Sequence, residues 1–384
     1  MSKDLSRVEE IVSILQSHWV ERGSAIEAFE AEVAAYCGAK YAVAVNSGTS
    51  ALHIACLAFG LKAGDSLWTS PNTFVASANC ALYCDAKVDF IDIELETYNF
   101  DLDLLEEKLI AAKKTNTLPK LVLPVHFAGQ SCDMQRLSNL SKKYGFKIIE
   151  DASHALGGVY QNHKIGSGEF SDLTIFSFHP FKLISTGEGG MAVTNDKNIY
   201  EKLKLLRSHG ITRDKSQMQG SIDGPWVYQQ LELGYNYRIT DIQAILGLSQ
   251  VKKIDSFIKS RNETAIYFNE NLKDLPLKLP SVKNKITSAW HLYVVMLELD
   301  NLKKSRLEIF NELKEEGLGV NVNYIPVYSQ PFYRKNGFSN TCYEKTEFYY
   351  ERAISLHLQN DLTKSEKESI VYKIKAVLLA SEKT

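Results

Sequence analysis

The sequence lacks the long apolar runs and the one-sided charge that would mark membrane or nucleic-acid proteins. Its longest apolar stretches, such as YAVAV at 41–45 and LVLPV at 121–125, fall far short of the ~20 residues that cross a bilayer. Basic residues number 44 and acidic residues 46, mixed along the chain, for a net charge of −2. Such a chain has no broad electrostatic field for a nucleic-acid backbone or an anionic membrane surface. We therefore expect neither partner, and any bound anion must be held by a local site.

Cysteine is scarce and is not arranged for metal binding. The six cysteines form no CxxC pair and match no zinc spacing, so we expect small, buried, free thiols and no metal site. The first 16 residues, MSKDLSRVEEIVSILQ, have the pattern of an amphipathic helix with acids and bases rather than of an export signal. These features predict a cytoplasmic protein.

The composition is that of a globular protein large enough for two domains. The chain has 384 residues, of which 45% are apolar. From 40 to 195, short β-rich runs alternate with helical patterns, which predicts a mostly parallel sheet covered by helices. A long helical pattern at 239–272 precedes a proline-marked loop, LPLKLPSVKN. We predict a large α/β domain at 1–272, including the N-terminal helix and a bridging helix, and a small α+β domain at 273–384.

Two stretches place polar groups where strands of such a sheet end. In NSGTSAL (46–52), Thr49 and Ser50 follow a strand and begin a helix, whose N-terminus can bind phosphate. In IIEDASHALG (148–157), Asp151 ends an apolar strand and His154 follows it. A carboxylate there can keep an aromatic nitrogen protonated. Ordinary helix caps explain either stretch taken alone.

Two further stretches supply a lysine and a polar–aromatic cluster. In FSFHPFKLISTGEGG (176–190), Ser177 and His179 share one face of a strand, and Lys182 leaves its end ahead of a glycine-rich segment. In LGYNYRITD (233–241), Asn236 and Arg238 are two residues apart and share a face if the segment is extended. A surface lysine and a cap at the following helix are the alternatives.

Together the four stretches predict a pyridoxal 5'-phosphate (PLP) site. They supply a lysine for covalent attachment, an acid for the ring nitrogen, and hydroxyls at a helix start for the phosphate. Phe74, in SPNTFVASAN, is the candidate to stack on the cofactor ring. The sequence therefore suggests a PLP enzyme.

At these residues the chain resembles the DegT/DnrJ/EryC1/StrS family of sugar aminotransferases, and the resemblance covers nearly the whole chain. The motifs that carry it include TFVASANCALYCDAKVDFIDI, IIEDASHALG, FSFHPFKLISTGEGGMAVTND and LGYNYRITDIQAILGLSQVKKID. The resemblance implies the PLP-dependent transferase fold type I, as in aspartate aminotransferase. It also implies a homodimer whose active sites are shared between subunits.

Carried over motif by motif, the resemblance implies a role for each candidate residue. Lys182 would attach the cofactor and carry protons, Asp151 would pair with the ring nitrogen, and His154 would lie beside the ring or its phenolic oxygen. The remaining implied contacts are Thr49, Ser50 and Ser177 to the phosphate, Asn236 reaching in from the partner subunit, Phe74 to the ring, and His179, Arg238, Asn323 and Tyr324 to substrate.

The resemblance implies transfer of an amino group from L-glutamate to a nucleotide-linked keto sugar. The motifs SFHPFK and LGYNYR are most similar to the branch that aminates C4 of UDP-linked 4-keto-6-deoxy-N-acetylhexosamines. Asn323 stands where relatives often have histidine, so the identity of the sugar stays open. A dehydratase is disfavoured by lysine at 182, and a nicotinamide oxidoreductase by the lack of GxGxxG between a strand and a helix. A different nucleotide sugar and a non-catalytic PLP-binding sensor remain as alternatives.

Overall fold

The structure is a computed structural model that describes residue 12, residues 24–220 and residues 222–383. The helix predicted for residues 1–16 lies outside the described residues, apart from residue 12. None of the described helices combines the length and apolar character needed to cross a bilayer.

The helices of the described chain alternate with the strands through most of the first 210 residues. The helices are α1 (Ser24–Cys37), α2 (Gly48–Ala58), α3 (Ala76–Leu82), α4 (Leu102–Thr115), α5 (Met134–Tyr144), α6 (Lys197–Arg207), α7 (Asp241–Val251), α8 (Ile254–Leu272), α9 (Arg306–Glu315), α10 (Pro331–Tyr333), α11 (Glu344–Arg352) and α12 (Lys364–Leu379). The strands are β1 (Tyr41–Val45), β2 (Ser66–Thr69), β3 (Lys87–Phe90), β4 (Leu121–Leu123), β5 (Lys147–Asp151), β6 (Val159–Tyr160), β7 (His163–Lys164), β8 (Leu173–Ser177), β9 (Gly190–Thr194), β10 (Ile211–Thr212), β11 (Gln229–Gln230), β12 (Leu277–Lys278), β13 (Ile286–Thr287), β14 (Leu292–Leu297), β15 (Val320–Asn321) and β16 (Ala353–His357).

Seven strands form the main sheet, in the order β1-β9-β8-β5-β4-β2-β3. Strand β9 runs antiparallel to its neighbours β1 and β8, and the other pairings are parallel. The prediction of a mostly parallel sheet is therefore confirmed. Ligands of such sheets bind beyond the carboxyl ends of the parallel strands, where β5 ends in Asp151 and β8 ends in Ser177.

Both faces of the main sheet are buried under helices. In β1, Val43 and Val45 pack in a core with α2, whereas Ala42 and Ala44 pack in a second core with α1. Successive side chains of a strand point to opposite faces, so a sheet covered on both faces needs apolar residues at nearly every position. The run YAVAV meets that requirement.

A second, four-stranded antiparallel sheet has the order β12-β14-β16-β15. One of its faces packs against the helices α8, α9 and α12. The C-terminal part of α8, with Ala265 and Phe268, belongs to this core. The division of the chain into domains at 272/273 stays a prediction.

The structure differs from the sequence-based expectations in local ways. The bridging helix is broken between α7 and α8, and the turn allows Val251 and Ile254 on either side of it both to be buried. The strand expected in GVNVNYIPV is limited to β15. Five cysteines are buried as expected, but Cys342 is exposed.

Candidate active site

A cavity of about 700 Å³ lies at the carboxyl ends of β5 and β8 and extends to the small sheet. Its lining includes the start of α2 and parts of β15 and β16. Nine of the predicted site residues line it: Thr49, Phe74, Asp151, His154, Ser177, His179, Lys182, Asn323 and Tyr324. The fold thus brings together residues that are up to 275 positions apart in the chain.

Lys182 reaches the cavity from a turn that follows β8. Phe176 and Phe178 are fully buried, which leaves the alternate residues Ser177 and His179 facing the cavity. The backbone N–H of Lys182 donates to the carbonyl of His179 at 2.9 Å, which closes the turn. Burial lowers the pKa of Lys182 to about 8, and the charge of Asp151 opposes that shift. A lysine with this pKa is partly neutral near pH 7 and can act as a nucleophile.

The Asp151 carboxylate is held by two hydrogen bonds. Its Oδ2 accepts from the hydroxyl of Ser77 at 2.6 Å, and its Oδ1 accepts from the backbone N–H of Ser153 at 3.1 Å. Asp151 therefore ends the strand in a tight turn rather than capping a helix. Sequence patterns do not indicate Ser77, because its contact with Asp151 depends on how α3 packs against β5.

The neighbouring acid, Glu150, is buried outside the cavity lining and is held by hydrogen bonds within the fold. Its Oε2 lies 2.6 Å from Nε2 of the buried His126, and Thr174 and Ser171 donate to its Oε1. Burial acts to raise the pKa of Glu150, but the His126 contact and the two hydroxyls lower it below its ordinary value. Of the two acids, only Asp151 lines the cavity.

The start of α2 forms a close-packed turn that fits an anion. Ser47 caps the helix by accepting from the backbone N–H of Ser50. A Cβ on Gly190 would lie 2.5 Å from the backbone carbonyl of Ser47, so the chain approach there requires glycine. The first N–H groups of a helix lack intrahelical acceptors and attract negative charge.

Ser50, which the sequence analysis expects to contact the phosphate, does not line the cavity. Its hydroxyl donates to Oδ1 of Asn46 at 2.6 Å and lies 2.9 Å from the Ser47 hydroxyl. The residue is buried, and it lies outside the cavity lining. The structure therefore offers Thr49 and Ser177, rather than the Ser50 hydroxyl, to a phosphate.

The buried His154 and the half-buried Tyr324 form a polar pair on the cavity wall. The phenolic oxygen of Tyr324 lies 3.1 Å from Nε2 of His154. Burial and the nearby charge of Lys182 lower the pKa of His154 well below its ordinary value. Burial, together with the charge of Asp151, raises the pKa of Tyr324. Phe74 is 58% exposed, with its ring centroid 6.2 Å from that of Tyr324.

Asn236 and Arg238 do not reach this cavity. Both are exposed on an extended segment, and Tyr237 between them points inward, with its hydroxyl 3.2 Å from Nδ1 of His53. The predicted sharing of one face is therefore observed. The alternative of a helix cap is also observed, because Thr240 caps α7 in a capping box.

The match to known proteins covers the chain almost from end to end. The family model for DegT/DnrJ/EryC1/StrS aminotransferases matches residues 2–375. The chain belongs to this aminotransferase family. A spore coat polysaccharide biosynthesis protein, SpsC of Bacillus subtilis, is 36% identical over 378 residues, which are 98% of this chain and 95% of that protein. A UDP-4-amino-4,6-dideoxy-N-acetyl-beta-L-altrosamine transaminase of Campylobacter jejuni is 40% identical over 333 residues, 86% of this chain and 84% of the relative.

Solved structures of family members have the same fold. PseC of Helicobacter pylori, described as an aminotransferase involved in the biosynthesis of pseudoaminic acid, is 30% identical with a TM-score of 0.88, over 99% of this chain and 97% of PseC. The Streptococcus pneumoniae protein Spr1654, described as a sugar aminotransferase, is 27% identical in its PMP form, with a TM-score of 0.87 over 99% of this chain and 98% of that one. Its PLP form has a TM-score of 0.86, over 99% of this chain and 97% of that one. The predicted fold type I transferase architecture is confirmed.

The cavity of this DegT/DnrJ/EryC1/StrS aminotransferase fits the predicted cofactor. It offers an amine of lowered pKa at Lys182, a fixed carboxylate at Asp151, and a helix N-terminus beside Thr49 and Ser177. The family match and the PLP- and PMP-form neighbours support pyridoxal phosphate as the cofactor. The roles of the individual residues remain predictions.

Proposed function

We propose that the protein transfers the amino group of L-glutamate to C4 of a UDP-linked 4-keto-6-deoxy-N-acetylhexosamine. The observation that carries the proposal is the meeting of Lys182 and Asp151 in one cavity of a chain that belongs to an aminotransferase family. The relatives named for UDP-amino-altrosamine and pseudoaminic acid synthesis support the choice of sugar. A cytoplasmic location remains a prediction.

The residues divide the work between holding the cofactor and moving protons. When bound, PLP supplies the electron sink for breaking the Cα–H bond of the amino donor. Lys182 accepts that proton and delivers it to the cofactor carbon. A pKa of about 8 suits this exchange near neutral pH. Asp151 stabilises a protonated ring nitrogen, and Thr49 and Ser177 hold the phosphate. Phe74, at the cavity wall, covers the ring.

The sugar half of the site lies toward the small sheet. Asn323 and Tyr324 line this side, and His179 lines the wall near Lys182. We assign these residues to substrate contacts. Asparagine at position 323 is a neutral donor and acceptor, which suits a hydroxyl or an acetamido group of the hexose.

Charge is the reason for proposing a shared site in a homodimer. Among the described residues that line the cavity, Lys182 is the single lysine and no arginine is present. A cofactor phosphate and a nucleotide diphosphate together need more cationic donors than that. Arg238 and Asn236 are exposed and share a face, so we propose that both enter the site of the partner subunit. Leu233, which is 79% exposed nearby, would be covered in the same contact.

Complementation between two inactive variants tests the shared site. Lys182→Ala and Asn236→Asp homodimers should each be nearly inactive, the second because a carboxylate would repel the phosphate. A mixed dimer contains one site with both substitutions and one with neither. Refolding the variants together should therefore restore activity that neither regains alone. If mass spectrometry shows mixed dimers and activity stays absent, Asn236 does not act across the interface.

Turnover with L-glutamate across UDP-, dTDP- and GDP-linked 4-keto-6-deoxy sugars tests the substrate. We expect the UDP sugar derived from UDP-N-acetylglucosamine to have the highest kcat/KM. Preference for a 3-keto dTDP sugar would overturn that assignment. Formation of 2-oxoglutarate and ammonia with no amino sugar would indicate a dehydratase, and PLP binding without turnover of any sugar would indicate a sensor.

A further inference from the structure

Two hydroxyls connect the carboxylate of Asp151 to the segment that precedes α3. The hydroxyl of Ser77 donates to Oδ2 of Asp151 at 2.6 Å, and it lies 2.8 Å from the hydroxyl of Thr73. All three residues line the cavity, yet none of them is more than 5% exposed. Because so little water reaches them, these polar groups depend on one another for hydrogen bonds.

The contact with Asp151 fixes the direction of the contact between Thr73 and Ser77. An ionised carboxylate can only accept hydrogen bonds, and a serine hydroxyl has a single hydrogen to donate. Ser77 gives that hydrogen to Oδ2 of Asp151, so its oxygen accepts from the hydroxyl of Thr73. Thr73, Ser77 and Asp151 thus form a hydroxyl relay in which each hydroxyl donates toward the carboxylate. Donation by Thr73 polarises the Ser77 hydroxyl and strengthens its bond to Asp151.

The backbone holds both ends of the hydroxyl relay. Thr73 and Ser77 are four positions apart where the chain enters α3, and the backbone N–H of Ser77 donates to the carbonyl of Phe74 at 3.2 Å. At the other end, Oδ1 of Asp151 accepts from the backbone N–H of Ser153. Each carboxylate oxygen therefore has its own donor, which fixes the orientation of the carboxylate at the cavity wall.

We propose that Thr73 is a positioning residue that acts on the cofactor ring through Ser77 and Asp151. This inference rests on the proposed function, in which Asp151 pairs with the ring nitrogen of PLP. The hydroxyl relay holds the carboxylate so that its negative charge stays against that nitrogen and keeps it protonated. Thr73 itself does not contact the reacting atoms.

A hydroxyl that only stabilised the fold would behave differently. Its removal would lower the free energy of unfolding but would leave the protonation of the ring nitrogen unchanged. Its effect would also add to that of Ser77→Ala, because the two residues would act independently. A residue that acts through Ser77 has no further effect once the Ser77 hydroxyl is gone.

The test is the ¹⁵N chemical shift of PLP that is labelled at its ring nitrogen and bound to the full-length protein, because this shift reports whether the nitrogen is protonated. Thr73→Val keeps the shape of the side chain and removes the hydroxyl. We expect the signal to move from the value of a protonated nitrogen toward that of a neutral one in Thr73→Val, and to return to the wild-type value in Thr73→Ser.

The matched control is Thr69→Val. Thr69 is as deeply buried as Thr73, but its hydroxyl donates to the carbonyl of Leu123 at 2.8 Å and the residue lies outside the cavity lining. Its substitution should leave the ¹⁵N shift unchanged. An unchanged shift in Thr73→Val, or an equal change in Thr69→Val, would overturn the proposal.

A double-mutant cycle tests whether Thr73 acts through Ser77. The rate constant for conversion of the PLP form to the PMP form by L-glutamate, followed by absorbance, should fall about fivefold in Thr73→Val, as expected for the loss of a hydrogen bond between neutral groups. In a protein that already carries Ser77→Ala, Thr73→Val should cause no further loss. Losses that multiply in the double variant would overturn the proposal.

The two measurements separate this proposal from the proposed function. If the wild-type protein binds PLP but does not react with L-glutamate, the proposed function fails, while the ¹⁵N shifts still decide the role of Thr73. If L-glutamate reacts and Thr73→Val matches the wild type in both measurements, the role of Thr73 fails while the function stands. Thr73→Ala removes the same hydroxyl with a smaller side chain and carries the same expectations if Thr73→Val does not fold.

Discussion

The pKa of Lys182 predicts an unusual pH dependence for cofactor capture. The attacking species is the neutral amine, and burial lowers the pKa of this lysine from 10.5 to about 8. At pH 7 a pKa of 8 leaves about 9% of the amine neutral, whereas an ordinary lysine has only about 0.03%. The buried lysine should therefore capture PLP about 300-fold faster than an exposed lysine of equal intrinsic reactivity.

The assay mixes cofactor-free protein with excess PLP and follows the absorbance of the covalently bound cofactor between pH 6 and pH 10. The rate constant should rise with pH as the neutral fraction grows and should level off above about pH 8. Lys182→Ala sets the baseline, since it should give no borohydride-trapped adduct in the site. In Asp151→Asn the inflection should move to lower pH, because the charge of Asp151 raises the pKa of Lys182. A rate constant that still climbs tenfold per pH unit between pH 9 and pH 10 would refute the reasoning.

Three further substitutions test the supports of the site. Ser77→Ala removes a 2.6 Å hydrogen bond to Asp151. Turnover, measured by steady-state kinetics, should fall by more than about tenfold, because a charge-assisted bond of this kind contributes about 1.5–3 kcal/mol. Glu150→Gln should lower the free energy of unfolding at pH 7 by about 3 kcal/mol, measured in urea, because it breaks the buried contact with His126. The pKa of Glu150 is lower in the folded protein than in the unfolded chain. The ionised Glu150 therefore stabilises the fold above the unfolded pKa, and this stabilisation is lost as the pH falls through the folded pKa. The difference in unfolding free energy between the wild type and Glu150→Gln should shrink in acid. Gly190→Ala should weaken PLP binding at least tenfold by displacing the start of α2, as measured by fluorescence titration.

Each of these outcomes has a comparison that can contradict it. Ser138→Ala alters a buried serine on α5 outside the cavity and should keep full turnover, so equal losses in Ser77→Ala and Ser138→Ala would argue against a specific role for Ser77. An unfolding free energy of Glu150→Gln that stays below the wild type by the same amount at all pH values would contradict the titration argument. Unchanged PLP affinity in Gly190→Ala would show that the glycine is not required there.

Sequence patterns were sufficient to predict the strands that position the site. The run YAVAV, buried on both faces, and the Phe176/Phe178 alternation both follow from the two-residue period of a strand. That period also placed Asp151 and Ser177 at strand ends. Short two-residue strands such as β15 have too few side chains for a period to be recognised.

Contacts between distant segments could not be read in the same way. Ser77 meets Asp151 across 74 positions, and Tyr324 meets His154 across 170. Ser50 and Thr49 look equivalent in the sequence, yet the rotation of α2 turns one hydroxyl toward Asn46 and the other residue toward the cavity. Such details depend on how helices pack on the sheet, which the local pattern does not specify.

The most direct test of the central claim is the fate of the nitrogen from ¹⁵N-labelled L-glutamate. The purified protein is incubated with the label, PLP and the UDP-linked 4-keto-6-deoxy-N-acetylhexosamine, and the product is analysed by NMR. We expect ¹⁵N bonded to C4 of the sugar, with one equivalent of 2-oxoglutarate formed and no transfer in Lys182→Ala. Label at C3, label released as ammonia, or equal transfer by Lys182→Ala would contradict the account.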